Sequence, residues 1–517
     1  MKRRNFIKST GTALSLPLLF NGMRLSALAR PSLFDEVDPE NDRVLVLIQL
    51  NGGNDGLNTL IPLNHYDTLA NLRSNVIIPA NRIIPVTDTI GFHPEMTGIK
   101  TLWEEGKLNM VQSVGYPNQN RSHFRSMDIW QSASPAEESW TTGWLGRYFE
   151  EDHSTFPESY PNPDYPDPFA ITMGNVVSET CQGVASNFSM TLSDPFSLSP
   201  LAESNEMMAP DSPYGEELTF LRTTIAQSNE YATGISEAAE KGSNQLDYPE
   251  TNFANQLKNI ALLISGGLKT KVYIASLGGF DTHANQVVEG DPIAGEHATL
   301  LKTLSEAILA FQQDLQAQSL EERVIGLTFS EFGRQIRSNF SLGTDHGTAA
   351  PLFVFGSCAN PQVLGDNPEI RQDTEVQEGI PMQYDFRDIY GSILEDWFGV
   401  ESSKVSALLH ANYQHIPVIR DCNLATSTLD VTFTPVEISA FPNPFKQDIR
   451  IQFRSQGSRV RLSVFDAMGS ELAVLLDQDM GEGQHSVYWD AAHLPAGTYY
   501  YRYQEGARLA TKMIVKQ

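Results

Sequence analysis

The stretch Val44-Leu45-Val46-Leu47-Ile48-Gln49-Leu50, followed by Asn51-Gly52-Gly53-Asn54-Asp55-Gly56, indicates how this chain folds. The first seven residues contain one polar side chain, which is typical of a strand buried on both faces of a parallel sheet. The glycine-rich polar segment after them predicts a turn at the end of that strand. Similar apolar runs recur at 108–114, 271–277, 323–329 and 352–355, and helical patterns lie at 97–105, 251–265, 296–318 and 386–398. Strands that alternate with helices predict an α/β domain with a mostly parallel sheet flanked by helices.

Composition limits the classes of partner. The 517 residues carry a formal net charge of −27, and removal of residues 1–29, which hold five basic and no acidic side chains, would make it −32. Such a surface repels nucleic acid and anionic lipid, so we expect neither as a partner. The three cysteines are too few and too far apart for a disulfide framework or a zinc cluster, although one bridge is compatible with export. No stretch after residue 30 is long and apolar enough to predict a stable membrane span.

The N-terminus has the pattern of a twin-arginine signal peptide. Arg3-Arg4-Asn5-Phe6-Ile7-Lys8 precedes an uncharged, largely apolar stretch at 9–23, and Ala27-Leu28-Ala29 is a small-x-small cleavage site. We therefore expect residues 1–29 to direct export through the twin-arginine (Tat) translocase to the periplasm. Proteins that use this route usually cross the membrane folded.

The composition of the chain changes along its length and predicts its domains. An α/β domain is predicted at 30–420. Within it, the proline-rich, polar segment at about 150–214 is interpreted as a lid or insertion over the sheet edge, with an ordinary surface loop as the alternative. A linker at 421–435 leads to a block of short alternating strands at 436–517, which predicts a small all-β sandwich.

This terminal block resembles a known sorting domain. The motifs Phe441-Pro442-Asn443-Pro444-Phe445, "VRLSVFDAMGSEL", "LPAGTYYYRY" and the basic tail "KMIVKQ" occur in the order found in the type IX secretion C-terminal sorting domain. The resemblance implies that the type IX secretion machinery carries the protein across the outer membrane, after which it is secreted or held at the cell surface.

Polar segments lie at four strand ends of the predicted α/β domain. Asp55 follows the first strand, Asp281 and His283 follow the strand at 271–277, Glu331 follows the strand at 323–329, and Asp345-His346 precedes the strand at 352–355. Taken singly, each segment is typical of a turn or of a helix-capping aspartate. Ligands of parallel sheets bind at the carboxyl ends of the strands, so the recurrence favours one shared site. Oxygen and imidazole ligands suit a divalent metal such as zinc, manganese or calcium. The predicted ligands are Asp55, Asp281, His283, Glu331, Asp345 and His346.

The predicted domain also resembles a family. The stretches "LNGGNDGLNTLIP", "NRSHFRSMDIWQS", "TGWLGRY", "GGFDTHANQ", "FSEFGRQIRSN", "GTDHGTAAPLFVFG" and "DFRDIYGSILEDWF" are similar to those of the domain of unknown function 1501. That family is related to the alkaline phosphatase and sulfatase superfamily. The relationship implies an alkaline phosphatase-like fold, with Asp55 as the early acidic ligand, Asp281 and His283 as the second group, and His346 as the late histidine. Glu331-Phe332 stands where the superfamily has Asp-His, and the spacing from Asp281 to His283 is two rather than four.

The superfamily relationship also implies a nucleophile on the helix after an early strand. Ser122 is the candidate there, with helix capping as its alternative role. Arg121 or Arg125 would hold an anionic substrate oxygen. His123 is a ligand, a base or a packing neighbour.

Two functions are compatible with these features. The first is a metal-dependent hydrolase of phosphate or sulfate esters that acts on an anionic small molecule or a glycan outside the cell. The second is a non-catalytic surface protein that binds or assembles on a degenerate hydrolase scaffold.

Overall fold

The computed structural model describes residues 42–198, 201, 209–210, 212–420, 422, 438–465, 471–492, 494–505 and 508–517. It also describes two paired three-residue strands, Leu18–Phe20 and Met23–Leu25. The rest of the predicted signal peptide and nearly all of the predicted linker lie outside the described residues. The chain divides into two compact units, Met1–Leu424 and Ala425–Gln517.

A nine-stranded sheet forms the centre of the first unit. Its strands are β1 (Val44–Asn51), β2 (Leu108–Gly115), β3 (Ala170–Met173), β4 (Ser189–Leu192), β5 (Val272–Gly278), β6 (Val324–Ser330), β7 (Ala350–Phe355), β8 (Val363–Leu364) and β9 (Tyr384–Asp385). The order across the sheet is β8-β2-β7-β6-β1-β5-β3-β4, and β9 also pairs with β2. Only β7 runs antiparallel to its neighbours, β6 and β2. The prediction of a mostly parallel sheet is confirmed.

Helices cover both faces of this sheet. They are α1 (Gly56–Thr59), α2 (Tyr66–Leu72), α3 (Thr97–Glu104), α4 (His123–Ser132), α5 (Trp144–Asp152), α6 (Pro213–Lys241), α7 (Asn252–Ser265), α8 (Glu296–Ala317), α9 (Phe386–Asp396) and α10 (Ser402–Leu408). Alternate residues of β1 point to opposite faces. Val46 and Ile48 pack in one apolar core with α3, α7 and α8, whereas Leu45 and Leu47 pack in a second core with α4, α5 and α9. The sheet is therefore the middle layer of three.

The segment at about 150–214, predicted as a lid or insertion with a surface loop as the alternative, contains two strands. Its segments Ala170–Met173 and Ser189–Leu192 are β3 and β4, which extend the central sheet beside β5. These strands are only four residues long and lie between proline-rich loops, so their period-two pattern is too short to detect in the sequence. These two parts of the segment thus belong to the central sheet.

Smaller features complete the first unit. A three-stranded sheet joins Leu60–Pro62, Ile84–Pro85 and Ile90–Phe92. A disulfide links Cys358 to Cys422, and Cys181 is a buried free thiol. In the part of the chain that the structure describes, no helix has both the length and the apolar composition needed to cross a membrane.

The second unit consists of two antiparallel sheets. One contains Ile438–Phe441, Asp448–Gln456 and Glu482–Asp490, and the other contains Glu471–Asp479, Arg459–Phe465, Gly497–Glu505 and Arg508–Lys516. Alternate residues such as Ile449, Ile451, Tyr501 and Tyr503 form one buried core between them. The predicted all-β sandwich is confirmed.

Candidate metal centre

The polar strand-end segments meet at one edge of the central sheet. Strands β1, β5 and β6 are parallel and in register, with Gly278 opposite Asn51 and Ser330 opposite Leu50, so the residues after them emerge together. Strand β7 runs the other way, which brings the residues before it to the same edge. This reversal explains why Asp345 and His346, which precede their strand, lie beside Asp281 and His283, which follow theirs.

Three histidines and one aspartate converge at this edge. The Nε2 atoms of His283 and His346 are 2.8 Å apart, and Oδ1 of Asp281 is 3.2 Å from each of them. Nε2 of His123, at the start of α4, is 3.5 Å from Oδ2 of Asp281. We call His123, His283, His346 and Asp281 the His₃Asp cluster. His123 is the member whose role the sequence leaves open.

The other ring nitrogen of each histidine faces an oxygen acceptor. Nδ1 of His346 is 2.9 Å from the backbone oxygen of Arg121, which only accepts, so this nitrogen carries the proton. Nδ1 of His283 lies 2.7 Å from Oδ1 of Asp345, and Nδ1 of His123 lies 3.1 Å from Oε1 of Glu331. In neutral His346, the proton on Nδ1 leaves the Nε2 lone pair directed into the cluster.

This arrangement fits a divalent metal ion. One ligand atom each of His123, Asp281 and His346 lies within 4.8 Å of the other two, and Nε2 of His123 is buried without a hydrogen-bond partner among the described residues. The 2.8 Å between Nε2 of His283 and Nε2 of His346 is a hydrogen-bond distance, so these two nitrogens would share either a proton or a bound cation. Imidazoles oriented by carboxylate or carbonyl acceptors on their far side are typical of metal ligands. Nitrogen-rich ligands with one carboxylate suit zinc or manganese better than calcium.

Two of the other predicted acids, Glu331 and Asp345, lie next to the cluster and contact its histidines. Oε1 of Glu331 accepts from the backbone N–H of Gly52, at 2.7 Å, as well as facing His123. Asp345 accepts from the side chain of Asn339, at 3.0 Å, as well as facing His283. Both carboxylates therefore orient histidines.

Arg334 supports the cluster from below. Its buried guanidinium donates to the backbone oxygens of Gly52, Gly53, Phe280 and Thr344 and, at 2.8 Å, to Oδ1 of Asp281. Burial raises the pKa of Asp281, but the hydrogen bond and charge of Arg334 outweigh it, and the pKa is lowered. With neutral histidines, three carboxylates and Arg334 leave two net negative charges, which a divalent ion would neutralise.

Comparison with protein families follows the same division into two units. Residues 42–396, more than two thirds of the chain, match the family described as Protein of unknown function (DUF1501). The chain belongs to the DUF1501 family. Residues 439–517 match the Secretion system C-terminal sorting domain, so that prediction is also confirmed. No curated protein matches the chain.

Several solved structures are distantly similar to this DUF1501 protein. A protein in the alkaline phosphatase superfamily from Vibrio parahaemolyticus has 9% sequence identity and a TM-score of 0.33, with 94% of this chain and 88% of that chain covered. A 2-O GAG sulfatase has 10% identity and a TM-score of 0.31, with coverages of 91% and 84%. The PsFucS1 sulfatase from Pseudoalteromonas sp. has 9% identity and a TM-score of 0.31, with coverages of 87% and 83%.

The structure does not bring Asp55 of the DUF1501 domain into the cluster. Both its carboxylate oxygens accept from Nη1 of Arg73, at 2.9 and 3.0 Å, and Oδ2 also accepts from Gln286 at 2.6 Å. Burial raises the pKa of Asp55, but the charge of Arg73 contributes to a net lowering. Nearby, Nε2 of His297 faces Oδ1 of Asn54 at 2.9 Å, and burial lowers the pKa of His297 to about 4. Asp55 thus belongs to a buried polar network, and both of its carboxylate oxygens accept hydrogen bonds within that network.

The predicted nucleophile and anion-binding residues lie at the start of α4. Ser122 is exposed at the N-cap position, and its hydroxyl has no hydrogen-bond partner among the described residues, so it does not cap the helix. Among the described residues, the Arg121 guanidinium makes one hydrogen bond, 2.8 Å to the backbone oxygen of Gln377. Arg125, in contrast, pairs with Asp128 and donates to backbone oxygens of the loop after α4. Of the two arginines, Arg121 is the one with free N–H groups.

Sequence reasoning did not single out Arg334 or Arg73. The position of Arg334 in the sequence could have indicated its role, because it lies in a glycine-containing segment directly after a buried strand, and such segments lie at the edge of the sheet where ligands bind. The position of Arg73 could not have indicated its role, since Arg73 lies on the loop after α2 and reaches Asp55 only through the tertiary fold.

Proposed function

We propose that this protein is an exported, metal-dependent hydrolase of phosphate or sulfate esters. The observation that carries the proposal is the His₃Asp cluster, in which ligand atoms of His123, Asp281 and His346 lie within 4.8 Å of one another and Nε2 of His283 lies 2.8 Å from Nε2 of His346. His123, His283, His346 and Asp281 would hold one divalent ion. When bound, that ion would supply positive charge to stabilise a developing oxyanion and to activate a hydroxyl group.

The residues at the start of α4 fit the remaining roles. Ser122 immediately precedes the candidate ligand His123, is exposed and has an uncommitted hydroxyl. Its Oγ would attack the phosphorus or sulfur atom while the ester alcohol leaves with a proton, and water would then hydrolyse the enzyme ester. Arg121 would bind a non-bridging oxygen of the substrate through its free N–H groups. Arg125 would stabilise the loop after α4.

The terminal segments fit a function outside the cell. The sorting domain supports secretion and attachment at the cell surface. We propose that residues 1–29 first direct Tat export, that residues 30–420 form the working domain, and that residues 421–435 link it to the sorting sandwich. A protein folded before export would carry its metal ion with it.

Turnover of p-nitrophenyl phosphate and p-nitrophenyl sulfate tests the proposal. The purified chain lacking residues 1–29 would be assayed after dialysis against Zn²⁺, Mn²⁺ or Ca²⁺. We expect turnover of at least one ester, a loss of at least about a thousandfold in kcat for Ser122→Ala, and no change in its metal content. Ser154→Ala, which changes another exposed serine, is the control.

Two outcomes would contradict parts of the proposal. Full turnover in Ser122→Ala together with none in His283→Ala would indicate that water, and not Ser122, is the nucleophile. Metal binding without turnover of either ester would favour the non-catalytic surface protein.

A further inference from the structure

Two loops that carry ligands of the His₃Asp cluster contact each other through their backbones. We call residues 281–283, which follow β5, the β5 loop, and residues 343–346, which precede β7, the β7 loop. The backbone N–H of Thr344 donates to the backbone oxygen of Thr282, at 3.1 Å. A side chain at Gly343 would overlap the backbone of the β5 loop, so this close approach requires glycine. The ligands of a site must be held to within about 0.5 Å, so whatever sets the spacing of these loops also sets the geometry of the cluster.

One side chain joins the two loops, that of Gln286. Its Oε1 accepts from the hydroxyl group of Thr344, at 2.6 Å, and from the hydroxyl group of Thr282, at 3.2 Å. Thr344 directly precedes Asp345 in the β7 loop, and Thr282 lies between the two cluster ligands of the β5 loop. A single oxygen atom therefore connects both loops at positions next to the residues that form the cluster.

The amide nitrogen of Gln286 ties this bridge to the buried ion pair after β1. Nε2 donates to Oδ2 of Asp55, at 2.6 Å. An ionised carboxylate only accepts hydrogen bonds, so the nitrogen of the amide faces Asp55 and the oxygen faces the two hydroxyl groups. Arg73, the other partner of Asp55, also donates to the backbone oxygens of Gln335 and Ile336, at 2.7 and 2.9 Å. The bridge is thus held at both ends.

The hydrogen bonds of the bridge are made away from water. Thr282, Gln286 and Thr344 are fully buried, and Asp55 is 1% exposed. A buried polar group that loses its partner finds no solvent molecule to replace it without a local rearrangement. Removing one of these hydroxyl groups should therefore move a loop, and the ligands on that loop should move with it.

We propose that Gln286 is a positioning residue of the metal centre, which sets the spacing between the β5 loop and the β7 loop. It acts through Thr282 and Thr344, the chain neighbours of the ligands. This inference rests on the metal site of the proposed function. It also gives Asp55 an indirect part in that site, because the carboxylate orients the amide that joins the loops. A network that served stability alone would leave metal affinity and ligand geometry unchanged when it is disturbed.

Binding of Co²⁺ to the full mature chain tests the proposal, with affinity measured by competition with a chromophoric chelator and ligand geometry by the visible absorption spectrum of the bound ion. Thr344→Val keeps the shape of the side chain but removes the donor, whereas Thr344→Ser keeps the donor. We expect Thr344→Val to weaken Co²⁺ binding about 3- to 10-fold, less than the about 10- to 100-fold of a residue that orients a ligand directly. It should also change the spectrum, which depends on coordination geometry. Thr344→Ser should restore both, and Gln286→Met should weaken binding at least as much as Thr344→Val.

Thr270→Val is the matched control. Thr270 is 1% exposed, and its hydroxyl group donates to the backbone oxygen of Pro168, at 2.8 Å. It precedes β5 and therefore lies at the opposite edge of the sheet from the cluster. We expect Thr270→Val to lower the midpoint of urea unfolding in the metal-free protein, and to leave the affinity and the spectrum of Co²⁺ unchanged.

The proposal is overturned if folded Thr344→Val or folded Gln286→Met binds Co²⁺ with the affinity and spectrum of the wild type. It is also overturned if Thr344→Ser is as weak as Thr344→Val, if Thr270→Val weakens binding as much, or if the wild type binds no Co²⁺. Should Gln286→Met not fold, the two variants of Thr344 decide the question.

These results are separable from the test of catalysis. The expected Co²⁺ results without ester turnover would retain the positioning role and refute the hydrolase. Ester turnover together with unaltered Co²⁺ binding in Thr344→Val would retain the hydrolase and refute the positioning role.

Discussion

The substitution Asp55→Asn separates a structural role for this residue from the role of metal ligand. Arg73 is fully buried and Asp55 is 1% exposed, and the guanidinium has no charged partner other than this carboxylate among the described residues. An asparagine of the same shape would remove the negative charge. It would also place amide hydrogens or a neutral oxygen against the donors of Arg73 and Gln286.

The expected loss of stability follows from leaving Arg73 buried and uncompensated. Breaking a buried ion pair by removing one partner costs about 3–5 kcal/mol, a large part of the about 5–15 kcal/mol that separates folded from unfolded domains. Because the pKa of Asp55 is lowered in the folded protein, its ionised form is the stabilising one. The difference in free energy of unfolding between the wild type and Asp55→Asn should be constant above about pH 5. It should shrink as the pH falls below about 3.9, the pKa of an aspartate in the unfolded chain, and through the lower pKa of Asp55 in the folded protein.

Urea unfolding followed by tryptophan fluorescence, in EDTA, would measure this difference. Asp88→Asn, which changes an exposed aspartate, is the control. Adding Arg73→Met to Asp55→Asn should recover part of the lost stability, because the unpaired charge is then gone. At metal saturation, folded Asp55→Asn should hold as much metal as the wild type. Wild-type stability combined with loss of metal would refute the structural role and make Asp55 a ligand.

Three further predictions concern the cluster and its surroundings. Glu331→Gln should lower metal affinity by about 10- to 100-fold while the protein stays folded, because the acceptor that orients His123 is weakened; competition with a chelator measures this, and unchanged affinity would contradict it. Replacement of both Cys358 and Cys422 by alanine should lower the free energy of unfolding by about 4 kcal/mol, because the disulfide closes a loop between residues 64 positions apart and so restricts the unfolded chain. A wild type that loses no stability when a reductant is added would contradict this prediction. Arg121→Ala should raise KM for the aryl ester with little change in the unfolding midpoint, whereas Arg125→Ala should lower the midpoint; the reverse pattern would exchange their roles.

The sequence was informative where a signal is local. Largely apolar runs predicted β1, β2, β5, β6 and β7, because strands buried on both faces are rich in apolar side chains. The strands β3 and β4 and the long helix α6 were missed. Four-residue strands carry too little periodicity, and α6 is a largely polar helix whose few buried residues, such as Ile235, pack only near its C-terminal end.

The site was predictable in position more than in detail. Because ligands bind at the carboxyl ends of parallel strands, the sequence predicted that one edge of the sheet carries Asp281, His283, Glu331, Asp345 and His346. The sequence could not show that Asp345 and Glu331 turn toward ring nitrogens, because the partners are 62 and 208 positions apart in the chain and meet only through the tertiary fold. It also could not show that Asp55 faces Arg73. A strand-end aspartate has the same local sequence whether it binds a metal ion or an arginine.

We expect His123, His283, His346 and Asp281 to form one metal site. Inductively coupled plasma mass spectrometry of the mature protein, after equilibrium dialysis against Zn²⁺ or Mn²⁺, tests it most directly. The prediction is one ion per chain for the wild type and for His485→Ala in the sorting domain, and loss of that ion in His123→Ala, His283→Ala and His346→Ala. A wild type that retains no ion, or three variants that retain it as the wild type does, would contradict the account.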